Sequence, residues 1–168
     1  QFGCFTPLMH AHGRFEQEAW TYDEETLALY RVYVVLHERL VPYVRAAAAT
    51  AARCGLPIIR PLCLVDPSDP RGWEISDAYF FGPSLWVAPV LEEGARAREV
   101  PLPRGDWIDF WSGEPVPGGG TVRPVRVQAN RLRSTKCRSL GSKYLAAHLS
   151  SVERNQWASS AAASSRRP

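Results

Sequence analysis

Residues 5–13 read Phe5-Thr6-Pro7-Leu8-Met9-His10-Ala11-His12-Gly13. With Phe2 and Cys4 in front, positions 1–9 are mostly apolar. That predicts a short strand buried on both faces, as in a parallel sheet. Pro7 has no amide hydrogen and predicts a break in that strand or its end. His10 and His12 follow where the strand would run into a loop. On extended backbone, residues two apart share a face, so the two imidazoles would stand together. They could bind a metal. They could equally hold a substrate hydroxyl, since neutral imidazole carries one donor and one acceptor. They could also be a structural pair bonded to backbone. A metal would need a third ligand, and neither His37 nor His148 has a supporting spacing.

Downstream, Thr21-Tyr22-Asp23-Glu24 reads as a capping box, with Thr21 as the cap and Glu24 reaching back three residues. Leu27, Tyr30, Val34, Val41 and Val44 recur at helical spacing, and alanines at 46–49 and 51–52 favour helix. Pro42 predicts a kink or a split near Leu40, and Gly55 a left-handed stop. The expectation is one helix over about 22–54, or two joined helices. From Leu56 the texture changes. Short apolar or alternating runs at 79–81, 84–91, 99–102 and 107–111 are separated by Gly82-Pro83, Pro103-Arg104-Gly105 and Pro117 to Gly120. Such a pattern predicts an antiparallel sheet or sandwich.

Charge divides the chain in the same direction. Positions 1–121 carry 10 Arg, no Lys and 16 acidic residues, a balance of −6. Positions 122–168 carry 10 basic residues against Glu153 alone, a balance of +9. That last stretch is rich in Ser and Ala and poor in apolar surface, so it is expected to be a disordered basic tail or a reading-frame or vector artefact. Without aromatic interleaving it does not read as a nucleic-acid binder. No run of 18 apolar residues signals a membrane span. Cys4, Cys54, Cys63 and Cys137 have no CxxC spacing and read as free thiols, which leans towards a reducing, cytoplasmic compartment.

The carboxylates have local explanations. Asp23, Glu24 and Glu25 fall in a helix first turn, where negative charge is favourable. Asp66 and Asp69 lie in an Asp-Pro turn, and Asp106 and Asp109 flank Trp107. Glycoside hydrolysis needs two carboxylates about 5 Å apart for retention, or roughly 6.5–9.5 Å for inversion, and no pair here is marked out for that. Trp73, Tyr79, Phe80, Phe81, Trp86, Trp107 and Trp111 could form a sugar-stacking platform, but the core of a β domain is the expected place for most of them. Gly118 to Gly120 lack the Lys-Ser/Thr of a phosphate loop and read as a flexible turn.

Six segments, in order, resemble glycoside hydrolase family 31. Phe5 to Gly13 looks like the end of that family's eighth barrel strand. Glu18-Ala19-Trp20 stands where the family has Pro-Trp. Leu40-Val41-Pro42-Tyr43-Val44 resembles its LxPYxY helix motif, and Gly55 to Leu62 its G-x-P-hydrophobic-x-RPL run. Phe81 to Val90 resembles its GxxLLVAPV strand, and Trp107 to Gly113 its WxDFWxG signature. The resemblance implies an α/β-plus-β architecture. Residues 1–65 would be the last strand and helix of a (β/α)8 TIM barrel, and 66–121 an incomplete antiparallel β-sandwich, before the tail at 122–168. It implies a retaining α-glycosidase, α-glucosidase- or α-xylosidase-like, whose partner is an oligosaccharide or α-glycoside and which needs no cofactor. His12 aligns with the family histidine that bonds sugar hydroxyls in the −1 subsite. His10 stands where the family has Arg. The nucleophile and the acid/base would lie upstream, leaving this chain inactive alone, and the family's pattern is lost after Thr121. Two other readings stand beside it: a metal-dependent amidohydrolase-like barrel fragment using His10 and His12, and a non-catalytic β module with a basic interaction tail.

Overall fold

The computed structural model describes residues 2–14, 18–92, 95, 97–126 and 143–146. A 3-10 turn at Phe2–Phe5 leads into irregular backbone, and a second at Ala19–Thr21 precedes helix α1, Glu24–Cys54. Then come β1 (Ile59–Arg60), α2 (Leu62–Val65), a 3-10 turn at Pro70–Trp73, β2 (Tyr79–Phe81), β3 (Leu85–Val87), β4 (Ala97–Pro101), β5 (Asp106–Asp109), β6 (Pro115–Pro117), β7 (Thr121–Arg126) and β8 (Lys143–Ala146).

The strand expected over 1–9 is not formed. A strand is completed by neighbours that accept and donate across its edges, and among the described residues none lies beside 2–9. Thr6 closes the chain on itself instead: its hydroxyl oxygen is 2.8 Å from the Gly3 carbonyl and 2.6 Å from that of Leu8. Helix α1 matches the expected span as one continuous helix that runs through Pro42. Its cap is Asp23 rather than Thr21. The Asp23 carboxylate accepts from the Thr26 amide at 2.7 Å, while the Thr21 hydroxyl donates to Glu18 O. Gly55 ends the helix at φ 73°, its amide donating to Ala51 O.

The larger sheet has six strands in the order β1-β2-β3-β8-β5-β6, and β4 pairs with β7 in a second. The sequence pattern implied antiparallel pairing throughout. The β1–β2, β2–β3, β5–β6 and β4–β7 pairs obey it, but β8 runs parallel to both β3 and β5. Residues 122–126 and 143–146 were expected to lie in an unordered tail and are instead strands. Averaging composition over the basic stretch hides two short apolar runs, Val122 with Val125 and Tyr144-Leu145-Ala146. The β4–β7 register slips between Arg98 and Val100, leaving Pro124 outside the ladder, as its missing amide requires. The rest of 122–168, Cys137 and His148 included, lies outside the described residues.

The core explains why β2 and β3 are apolar without alternation. Successive side chains point to opposite faces, and here both faces are covered. Tyr79, Phe81, Leu85 and Val87 pack with Cys4, Phe5, Trp111 and the α1 residues Tyr33 and Leu36. Phe80 and Trp86 point the other way, towards Leu62, Val100, Leu102 and Trp107. The first cluster therefore joins residues from both sides of position 65.

Candidate functional site

Backbone that lacks a strand partner must find acceptors and donors elsewhere, and the segment before the two histidines does so through side chains from two elements. The Cys4 carbonyl lies 2.8 Å from His37 Nδ1 on α1. The next carbonyl, that of Phe5, accepts from the Tyr79 hydroxyl on β2 at 3.1 Å, in a buried setting. Phe5 meets Phe110 edge-on at 6.1 Å, and Phe2 meets Tyr79 at 5.7 Å. Cys4, Phe5 and Thr6 are buried by these contacts, and the chain surfaces at Leu8.

His10 and His12 emerge from this anchored base. Their rings stand edge to face, 6.0 Å between centroids, and both residues are exposed. The structure thus brings the expected pair together on irregular backbone rather than on a strand. Among the described residues no group of three or more His, Cys, Asp and Glu could hold a metal. The pair can offer hydrogen bonds to hydroxyl groups.

Four of the carboxylates expected to be structural are engaged locally. Asp66 accepts from the amide and hydroxyl of Ser68. Asp69 accepts from the Arg71 amide and takes two bonds from its guanidinium, which hold its carboxyl below the usual carboxylate range. Asp109 accepts from the amides of Trp111 and Ser112. Asp23 is likewise held low, first by the Thr26 amide. The aromatics are core, as expected, except Trp73, which is 76% exposed.

Tyr43 joins α1 to the β2–β3 turn. Its hydroxyl donates to Phe81 O at 2.7 Å and accepts from the Ser84 amide at 3.0 Å. Gly82 lies directly under it at φ 62°, where a Cβ would collide with the hydroxyl. Sequence reasoning missed Tyr43, Tyr79 and His37 as anchors. Tyr43 lay within a quoted motif and Tyr79 within an aromatic run, but neither position signals a partner far along the chain.

The profile of the glycosyl hydrolase family 31 C-terminal domain matches residues 55–138. The 1,3-alpha-isomaltosidase of Kribbella flavida is 34% identical over 138 residues, covering 74% of this chain and 19% of that protein. The sulfoquinovosidase of Escherichia coli is 36% identical over 121 residues, 70% of this chain and 18% of that one. Among solved structures, an alpha-xylosidase from a soil metagenome, complexed with xylose, superposes with a TM-score of 0.66 at 34% identity, covering 73% of this chain and 21% of its own. The chain spans about a fifth of the length of these relatives.

Proposed function

Since the chain belongs to glycosyl hydrolase family 31, we propose that it is the C-terminal part of a retaining α-glycoside hydrolase, with residues 1–65 closing the catalytic barrel and 66–121 beginning the β-sandwich. The observation that carries this is the profile match over 55–138, joined by relatives at 34–36% identity that extend over 70–74% of the chain. In such an enzyme one carboxylate attacks the anomeric carbon while a second protonates the leaving oxygen. Water then releases the glycosyl–enzyme ester, and the second carboxyl now acts as base. The local bonding of Asp23, Asp66, Asp69 and Asp109 supports placing both catalytic groups upstream, so that the chain alone hydrolyses nothing.

His12 is the residue proposed to touch substrate. Its part is to hold a hydroxyl of the −1 sugar and fix geometry, not to move a proton in the chemical step. Exposure at the exit of an anchored segment suits that role. The relatives named above act, by their names, on isomaltosides, sulfoquinovosides and xylosides. His12 is proposed to supply a general −1 contact, with substrate choice made elsewhere.

The test exchanges the matched segment of the Escherichia coli sulfoquinovosidase for this chain's own. A folded chimera that cleaves that enzyme's substrate, and loses activity on His12→Ala, supports the reading. A chimera with a sharp thermal transition and no activity sinks it.

A further inference from the structure

We propose that Tyr79, with His37 opposite it, is a positioning residue for the histidine segment: the β domain, through one hydroxyl, sets where His12 meets the sugar. This rests on the reading of His12 given above.

Two carbonyls hold the segment in place. Those of Cys4 and Phe5 are consecutive, and each is bonded to the side chain of a different element, α1 on one side and β2 on the other. Two adjacent peptide units tied to two separate elements leave that stretch of backbone little freedom. The Thr6 hydroxyl, with one proton to give, then lies between Gly3 O and Leu8 O, within hydrogen-bond reach of both. The chain is thereby fixed as far as Leu8, two residues before His10 and four before His12.

Packing alone does not account for Tyr79. Its ring lies in an apolar cluster with Cys4, Phe5, Phe81, Leu85 and Val87, where phenylalanine would fill the same space. The hydroxyl adds polarity to that cluster, which is unfavourable unless bonded, and its bond goes to Phe5 O, 74 residues earlier in the chain. A contact to a sugar hydroxyl demands placement to a fraction of an ångström, and a misplacement of about 1 Å can cost on the order of a hundredfold in rate. A fixed base beneath an exposed histidine meets that demand.

Two measurements test this. The first is amide exchange in the 168-residue chain carrying Tyr79→Phe. Loss of the anchor should speed exchange over residues 3–13 roughly tenfold and leave Phe80 and Trp86 on β2 and β3 within about twofold. Unchanged exchange over 3–13, or an equal rise in β2 and β3, overturns the clamp. The second is a double-mutant cycle in the chimera. Tyr79→Phe should lower kcat/KM about tenfold beside an intact His12 and have no further effect beside His12→Ala. An undiminished effect beside His12→Ala makes Tyr79 merely structural and overturns the proposal. A neutral His12→Ala overturns the sugar contact itself, and the exchange result then shows separately whether the clamp exists.

Discussion

Gly82 and Gly55 share a left-handed φ, 62° and 73°, but differ in what surrounds them. Nothing lies within 4 Å of a Cβ built on Gly55, so Gly55→Ala should cost only the backbone strain, about 1 kcal/mol. At Gly82 the same strain adds to a collision with a Tyr43 hydroxyl that is bonded on both sides. Gly82→Ala should therefore cost about 2–4 kcal/mol in urea unfolding. Equal losses at the two sites would show that the Tyr43 contact carries no energy. Cys4 ties stability to pH. Burial pushes its thiol up to about 12, and burial also raises the Tyr79 and Tyr43 hydroxyls above their ordinary values. The unfolded chain gives up the Cys4 proton near its ordinary value of 9.0, well before the folded chain does. The stabilisation is thus complete below about pH 9 and is lost as pH rises towards 12. Stability should begin to fall just above pH 9, and Cys4→Ala should flatten the curve between 9 and 10, before the tyrosines contribute. A wild-type curve that stays level to pH 11 would refute this.

Helix α1 carries an internal proline at no visible cost to continuity. Pro42 has no amide to give the Glu38 carbonyl, and its ring crowds that group. Pro42→Ala should therefore raise stability by about 1–3 kcal/mol, seen as a higher midpoint by circular dichroism. A loss instead would mean that Pro42 helps to place Tyr43, the next residue, on the β2–β3 turn. The helix was legible because apolar spacing and the Gly55 stop are local signals, and β2 and β3 because turns flank unbroken apolar runs. The N-terminal strand was misread because periodicity records burial, not pairing, and pairing needs a neighbour. The cap slipped by two residues because Thr21 and Asp23 are both competent caps, and only the three-dimensional bond from Thr21 to Glu18 O removes one. At the site, the side-by-side histidines could be read from spacing. Their anchors could not, because Tyr79 and His37 lie 74 and 33 residues from the carbonyls they hold.

Among the described residues, nine of the thirteen large apolar side chains left in solvent fall within the first sixty positions. Phe2, Leu8, Trp20, Tyr22, Tyr30, Val34, Val41, Leu56 and Ile59 are all exposed. At about 100° per residue, Tyr30, Val34 and Val41 fall within roughly 40° of one another on α1. They lie beside the face that Tyr33, Leu36 and Ala47 bury. Apolar residues grouped on one helix face, rather than scattered, are a surface on which chains can associate. Isolated, the chain should satisfy the stripe by associating with itself. Its weight-average mass in sedimentation equilibrium should rise with concentration in the micromolar range. The triple change Tyr30→Gln, Val34→Glu and Val41→Lys should hold it near 18.8 kDa. His37, which holds the Cys4 carbonyl, stands between Val34 and Val41 on this side of α1, so the triple change should also speed exchange over residues 3–13. A wild-type chain that remains monomeric at every concentration would mean that the stripe is too small to drive association. Association that persists in the triple variant would move the sticky surface to the Phe2, Leu8 and Trp20 end.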